Sequence, residues 1–282
     1  MELDTLREHT PPGVSRRQPR TMRDSRGEPA ALPGPASAPS PGRNPEPTSA
    51  SGPEPVPATA AEVVAALAGA GRHNAYFLVE TADDGADDWL PVTGLFGDGL
   101  DALLAAVADR LGHDDPRVAA SIAFQGYAAK IWSPVLASVT ESGVLPDLAP
   151  ESLRWRYRTG EPVSLLLAPA AGWKTTDPSD VYELAVDRHL GPLLAAFRAR
   201  VPISERLLWG NAAAALAGAS RVLGPASAPL RSALLGSGRL AGTVDEGTGL
   251  RRTCCLFYRI PGGGTCGDCV LRGRSRAAST GR

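Results

Sequence analysis

Between Leu100 and Leu111, apolar residues fall at Leu100, Leu103, Leu104, Val107 and Leu111, which is the spacing of one helix face. Thr59-Ala60-Ala61-Glu62 reads as a capping box that opens a short alanine-rich helix, running to about Ala70 and ended by Gly71. Asp114-Asp115-Pro116 starts a longer helix from Arg117 to about Ile131, which Pro134 is expected to break or kink. Its polar residues Ser121, Gln125, Tyr127 and Lys130 sit among apolar positions. Most of that helix reads as core, with Tyr127 and Trp132 as candidates to line a pocket. Pro178 to about Arg200 is helical in pattern, with an interruption at Gly191-Pro192. Ser204 to Leu223 reads as an alanine-rich helix suited to close packing, and Asn211 is its main polar group. Pro229 to Leu240 reads as the last helix before the C-terminal segment.

Alternation of period two is clearest in Leu153-Arg154-Trp155-Arg156-Tyr157-Arg158. Leu153, Trp155 and Tyr157 share one face, and three arginines share the other. Val163 to Leu167 has strand length and is apolar apart from Ser164, so the two stretches predict an antiparallel pair joined through Thr159-Gly160. The arginine face reads either as the solvated side of that sheet or as a surface for an anionic ligand or partner. Ala75 to Glu80 reads as a further short strand. Asp83 to Asp88 reads as a solvated turn, because it lacks the Gly and Glu positions of a calcium loop. Gly172-Trp173-Lys174 and Asp177-Pro178 read as a linker. The fold class expected is α+β: a helix-rich domain with a small antiparallel sheet and a C-terminal cysteine block.

Composition changes this picture at the N-terminus. Residues 1–58 hold thirteen of the 26 prolines and no Phe, Trp or Tyr. Such a segment has too little apolar surface to offset its ordering entropy, so it reads as a disordered Pro-rich extension. The expected organisation is this extension at 1–58, a helix-rich domain at 59–250, the cysteine motif at 251–271 and a basic tail at 272–282.

The formal net charge is -1, and no basic stripe makes a case for nucleic acid. No apolar run reaches the roughly eighteen residues that a membrane helix needs. Arg16-Arg17 is not followed by the apolar segment of an export signal, so the cytoplasm is the default location. His9, His73, His113 and His189 are scattered without metal-ligand spacing. No glycine-rich dinucleotide or phosphate loop and no Gly-x-Ser-x-Gly is present.

The chemistry concentrates at Cys254, Cys255, Cys266 and Cys269, which are all the cysteines of the chain. Their spacing is C-C-x10-C-x2-C. Four converging thiolates suit a soft cationic centre. Gly267 allows the turn that lets Cys266 and Cys269 share a metal, and Pro261-Gly262-Gly263-Gly264 is a loop bringing the two halves together. Adjacent cysteines on an extended strand would face opposite ways, so Cys254-Cys255 suits a bent backbone or a two-iron target. Structural disulfides, a four-cysteine zinc site and an iron–sulfur cluster all remain open on these residues.

The string from Arg251 to Cys269, with Tyr258-Arg259, Pro261-Gly262-Gly263-Gly264 and Cys266-Gly267-Asp268-Cys269 inside it, resembles the C-terminal signature of the FhuF-like ferric siderophore reductases. Leu207-Leu208-Trp209-Gly210-Asn211-Ala212-Ala213, and Ala119-Ala120-Ser121 leading into Gly126-Tyr127, extend the likeness over roughly residues 60 to 271. The resemblance implies a [2Fe–2S] cluster on the four cysteines and one-electron reduction of an imported ferric siderophore, a hydroxamate. It implies a separate electron donor, a ferredoxin-like protein or a flavoprotein reductase. Peripheral contact with the inner membrane face near a siderophore transporter is compatible with it. A plain electron carrier and a zinc-stabilised interaction protein are the alternatives.

From Arg251 to Arg282 there are seven arginines and one acidic residue, Asp268. Arg251, Arg252 and Arg259 stand beside the cysteines as candidates to tune the cluster, whereas Arg272, Arg274 and Arg276 read as a solvated tail. Asn211 is a candidate donor to a cluster sulfur, and Trp209 and Tyr127 are candidates for substrate or partner contact.

Overall fold

The structure is a computed structural model, and it describes residues 56–245 and 248–271. Most of the Pro-rich extension and the basic tail lie outside the described residues. The order of elements is β1 (Val56–Pro57), α1 (Ala60–Gly71), β2 (Leu90–Pro91), α2 (Val92–Leu95), α3 (Asp98–Leu111) and α4 (Pro116–Ser142). Next come β3 (Val144–Pro146), β4 (Arg154–Arg156), β5 (Ser164–Leu166) and β6 (Gly172–Lys174). The chain continues with α5 (Pro178–Tyr182), a π-helical stretch at Glu183–Leu190, α6 (Gly191–Arg200), α7 (Glu205–Leu223) and α8 (Ala228–Leu235).

The capping box at α1 is formed as expected: Glu62 N–H donates to Thr59 Oγ1, and the Glu62 carboxylate accepts from Thr59 N–H. The core is built on α4, which lies along α7, with α1 and α3 packed against it. Both helices carry small buried residues: Ala119, Ala120 and Ala123 on α4, and Ala212, Ala213, Ala215 and Ala219 on α7. Small side chains let the two backbones approach and the helix ridges interlock.

Pro134 does not end α4, which runs on to Ser142. Residues from Ile131 to Val139 are all buried, so packing outweighs the cost of a proline inside the helix. Likewise, Gly191-Pro192 does not interrupt the next helical run. The π turn ahead of it keeps the chain helical from Pro178 to Arg200, and proline is tolerated in the first turn of α6.

Two small antiparallel sheets complete the α+β fold, in the orders β1-β6-β3 and β2-β4-β5. The predicted β4–β5 pair is present, with Trp155 opposite Leu165. Gly172–Lys174 is the central strand of the other sheet rather than a linker. Its partner Val56–Pro57 falls inside the segment read as disordered, so the described fold begins before Thr59. Ala75–Glu80 forms no strand, and only Glu80 bridges, to Leu166. The last predicted helix stops at Leu235, and Gly238–Leu240 is a separate 3-10 turn.

The arginines of the β4 strip and the acidic turn, about seventy positions apart in the chain, neutralise each other. Arg154 pairs with Asp83 at 2.6 Å, Arg156 with Asp84 at 2.7 Å, and Arg158 with Asp88 at 3.4 Å. The Arg156 guanidinium also stacks on Trp89, 3.9 Å from the ring centroid. That face is therefore already occupied by the protein's own carboxylates.

Candidate redox centre

The cysteine block is seated on the α4–α7 seam by a chain of buried hydrogen bonds. Ser121 on α4 donates from Oγ to the Cys255 carbonyl at 2.6 Å. Asn211 on α7 donates from Nδ2 to both the carbonyl and Oγ of Ser121, each at 2.9 Å. Arg251 is 1% exposed. Its Nη1 donates to Asn211 Oδ1 at 2.7 Å and to Gln125 Oε1 at 3.2 Å. Its Nη2 donates to Cys266 Sγ at 2.8 Å and to Asp268 Oδ1 at 3.0 Å. Nε lies 2.8 Å from Asp268 Oδ2, but off the line that a hydrogen bond requires. The backbone joins in, because Arg251 N–H donates to the Asp268 carbonyl at 3.0 Å.

One buried guanidinium thus ties two helices to the Cys266-Gly267-Asp268-Cys269 turn. A buried cation is tolerated only where it is paired and hydrogen-bonded, as it is here. Burial alone would lower the Arg251 pKa, but the facing Cys255, Asp268 and Cys266 raise it, so the group stays charged.

The four thiols are free of disulfides. Cys255 and Cys269 are buried, while Cys254 and Cys266 are half-buried. Cys255 Sγ and Cys266 Sγ stand 3.5 Å apart, too far for a disulfide. That spacing is near the ~3.8 Å that two sulfurs keep when both bind one tetrahedral metal at about 2.3 Å. Burial pushes the Cys266 thiol up to about 12 and raises that of Cys254. Without a metal these groups hold their protons, and a bound cation takes the place of those protons.

The adjacent pair is accommodated by a bend. Leu256 adopts a left-handed φ of 66°, and its N–H points at Cys254 Sγ at 3.4 Å. The glycine loop turns as expected, with Gly262 and Gly264 at positive φ. Among the described residues, no three His, Cys, Asp or Glu side chains gather for a single ion. A two-iron cluster instead needs two sulfurs on each of two centres. Buried soft donors, one close sulfur pair and a cation aimed at a sulfur fit such a cluster.

The other predicted residues sort differently. Asn211 reaches no sulfur and acts on the block through Arg251 and Ser121. Arg252 is largely exposed and lies 3.7 Å from Asp245. Arg259 pairs with Asp115 at 2.8 Å and leans on Tyr258. Trp209 is buried beside Arg239 and donates to Glu205 at 3.3 Å. Tyr127 is buried with its hydroxyl 3.0 Å from His189 Nε2. Burial lowers the His189 pKa to about 4, so that ring is neutral and serves the core. Trp132 is fully buried. Gln125 and Asp268 were named in the sequence without a role at the site; the only signals were a polar residue inside an apolar helix and a carboxylate between two cysteines.

Gly210 was noticed only as part of a familiar stretch. A Cβ there would collide with Thr253 Oγ1, so the cysteine block packs directly on this bare point of α7. Gly210→Ala should therefore destabilise the fold by about 1–3 kcal/mol through overpacking. Gly218→Ala on the same helix, whose Cβ meets only Arg221 at 3.7 Å, should be neutral or gain up to ~1 kcal/mol. Denaturant unfolding of the two variants checks this, and equal midpoints would contradict the close approach.

Comparison with known proteins agrees with this geometry. Residues 124–246 match the family described as "Ferric iron reductase FhuF-like transporter", and residues 251–271 match "FhuF 2Fe-2S C-terminal domain". The "Ferric siderophore reductase" of Escherichia coli (strain K12) is 25% identical over 197 residues, which cover 61% of this chain and 75% of that protein. The chain belongs to the FhuF-like ferric siderophore reductase family, and its C-terminal segment is that family's [2Fe–2S] domain.

Proposed function

We propose that this protein reduces a ferric hydroxamate siderophore in the cytoplasm, with Cys254, Cys255, Cys266 and Cys269 as the ligands of its cluster. When bound, the [2Fe–2S] group supplies a one-electron store that the side chains of this chain lack. The four cysteines hold it as thiolates. Arg251 sets its charge environment, because a buried cation donating to Cys266 Sγ favours the more negative, reduced form and raises the potential. Asn211, Gln125 and Asp268 hold that guanidinium in place, and Ser121 holds the Cys255 backbone. No nucleophile, acid or base is required. Iron(II) binds hard oxygen donors more weakly than iron(III), so one electron releases the metal from an intact chelator.

The observation that carries this reading is the Arg251 to Cys266 contact, buried beneath a four-thiol block. Electrons come from a separate ferredoxin-like or flavoprotein donor, and an imported chelate would be met at the inner face of the membrane. No described helix is long and apolar enough to cross a membrane.

The test is anaerobic. Protein reduced and freed of excess reductant is mixed with a ferric trihydroxamate in the presence of an iron(II) trap. Close to one iron(II) is expected for each electron stored. Fully reduced protein that leaves the chelate ferric would instead make this a plain electron carrier.

A further inference from the structure

Several cavities on the described surface carry cationic side chains, and two of them, beside Arg188 and beside Arg110, hold a single cation and touch no residue of the cysteine block; three others remain. One of about 220 Å³ is lined by Lys130, Arg156 and Arg158, but these are committed within the protein. Lys130 donates to the carbonyls of Ala75 and Leu78, and both arginines pair with the acidic turn. No residue of the cysteine block borders it. A second, of about 300 Å³, touches Asp268 and Arg221 but is walled largely by Tyr76, Phe77, Ala129 and Val222.

The third is the roomiest of the three, at about 470 Å³, and lies on the other flank of α7. Gly267 and Asp268, the two residues between Cys266 and Cys269, form part of its wall. Ala217 of α7, Arg221, and Arg231 of α8 form another part. Its carboxylates are already engaged. Asp268 is held by Arg251, and Asp245 lies 3.7 Å from Arg252 and accepts from Thr248 at 2.8 Å. Arg221 and Arg231 have no carboxylate partner among the described residues. The cavity therefore combines two guanidinium groups, neither paired with a described carboxylate, and a wall made by the cysteine turn itself.

We propose that this cavity between α7, α8 and the Cys266–Cys269 turn binds the ferric hydroxamate chelate, with Arg221 and Arg231 donating to its oxygen face. The inference rests on the reductase reading and names the place where that reaction occurs. A ferric trihydroxamate is neutral, because three hydroxamates each carry one negative charge against iron(III). Transfer of one electron turns iron(III) to iron(II) and leaves the complex with one negative charge. The electron would come from the reduced cluster that Cys254, Cys255, Cys266 and Cys269 would hold, and the separate donor protein would replace it. No bond within the organic ligand forms or breaks. The two arginines face a charge that develops during transfer, so they favour the product side of the step as well as binding. The Gly267-Asp268 wall keeps the chelate next to the residues that carry the sulfurs.

Binding is separated from reduction by using a chelate that takes up no electron. Calorimetric titration of the cluster-loaded protein with the gallium(III) complex of a linear trihydroxamate reads affinity alone. Saturable binding by wild type is expected. Arg221→Ala and Arg231→Ala should each weaken it about tenfold, as expected on loss of a charged hydrogen-bond donor. Ala217→Trp, which fills the cavity, should abolish it. Val222→Trp, which fills the neighbouring cavity instead, should leave affinity within about twofold of wild type.

If Val222→Trp weakens binding and Ala217→Trp does not, the chelate sits on the other flank and the proposal is overturned. Unchanged affinity in the double arginine variant overturns it too, while leaving the reductase reading intact. A wild-type protein that neither binds the gallium complex nor reduces the ferric one overturns both.

Discussion

Cys266→Ser should cut ferric-chelate reduction to no more than about a hundredth of wild type, with loss of the visible spectrum of the bound cluster. Cys266 holds the key position of the block. Its Sγ is 3.5 Å from Cys255 Sγ and receives the Arg251 guanidinium at 2.8 Å. A hydroxyl is a shorter, harder and far less acidic ligand, so it cannot replace a soft thiolate on iron. The helical core on α4 and α7 does not depend on this sulfur, and the far-UV circular dichroism should stay close to wild type. Retention of full reduction by a folded Cys266→Ser protein would rule out transfer through this centre.

Arg251→Met should lower the cluster's reduction potential, by about 65–130 mV if one charged hydrogen bond of ~1.5–3 kcal/mol is lost mainly from the reduced form. It should also destabilise the protein by about 3–5 kcal/mol, because Asp268 loses the cation that compensates it. Asn211 Oδ1 and Gln125 Oε1 lose their donor in the same change. Arg251→Lys keeps the charge but not the fork that serves helix and sulfur together, so it should fall between the two. Potentiometric titration separates tuning from mere support. A purely structural arginine would lower stability and cluster content while the remaining centres titrate at the wild-type potential.

Much of this was legible locally. The capping box at Thr59, the spacing of Leu100 to Leu111 and the alanine-rich run before Leu223 each specify a helix from neighbouring residues alone. The alternation around Trp155 likewise located a strand and its partner. What stayed hidden depends on contacts between distant segments. Gly172–Lys174 becomes a strand because Val56–Pro57 and Val144–Pro146 flank it. Pro134 stays inside a helix because everything around it is buried. Arg154, Arg156 and Arg158 lose their role as a free cationic face because the Asp83–Asp88 turn folds onto them.

The site divides in the same way. Four cysteines in one short block locate the chemistry but leave disulfides, zinc and a cluster open until the family resemblance is added, and Arg251 was noticed as their neighbour. Its reach across to Gln125 and Asn211, 126 and 40 positions away, needs the folded chain. Arg252 and Arg259 look equivalent to it in the sequence, yet both turn to carboxylates, at Asp245 and Asp115.

The most direct measurement is the iron and acid-labile sulfide content of anaerobically isolated protein, read with its absorption before and after reduction. Two irons and two sulfides per chain are expected, with a visible spectrum that bleaches on uptake of one electron. Protein free of iron and sulfide, and still free of both after reconstitution with iron, sulfide and thiol, would contradict the assignment of this four-cysteine block as a redox centre.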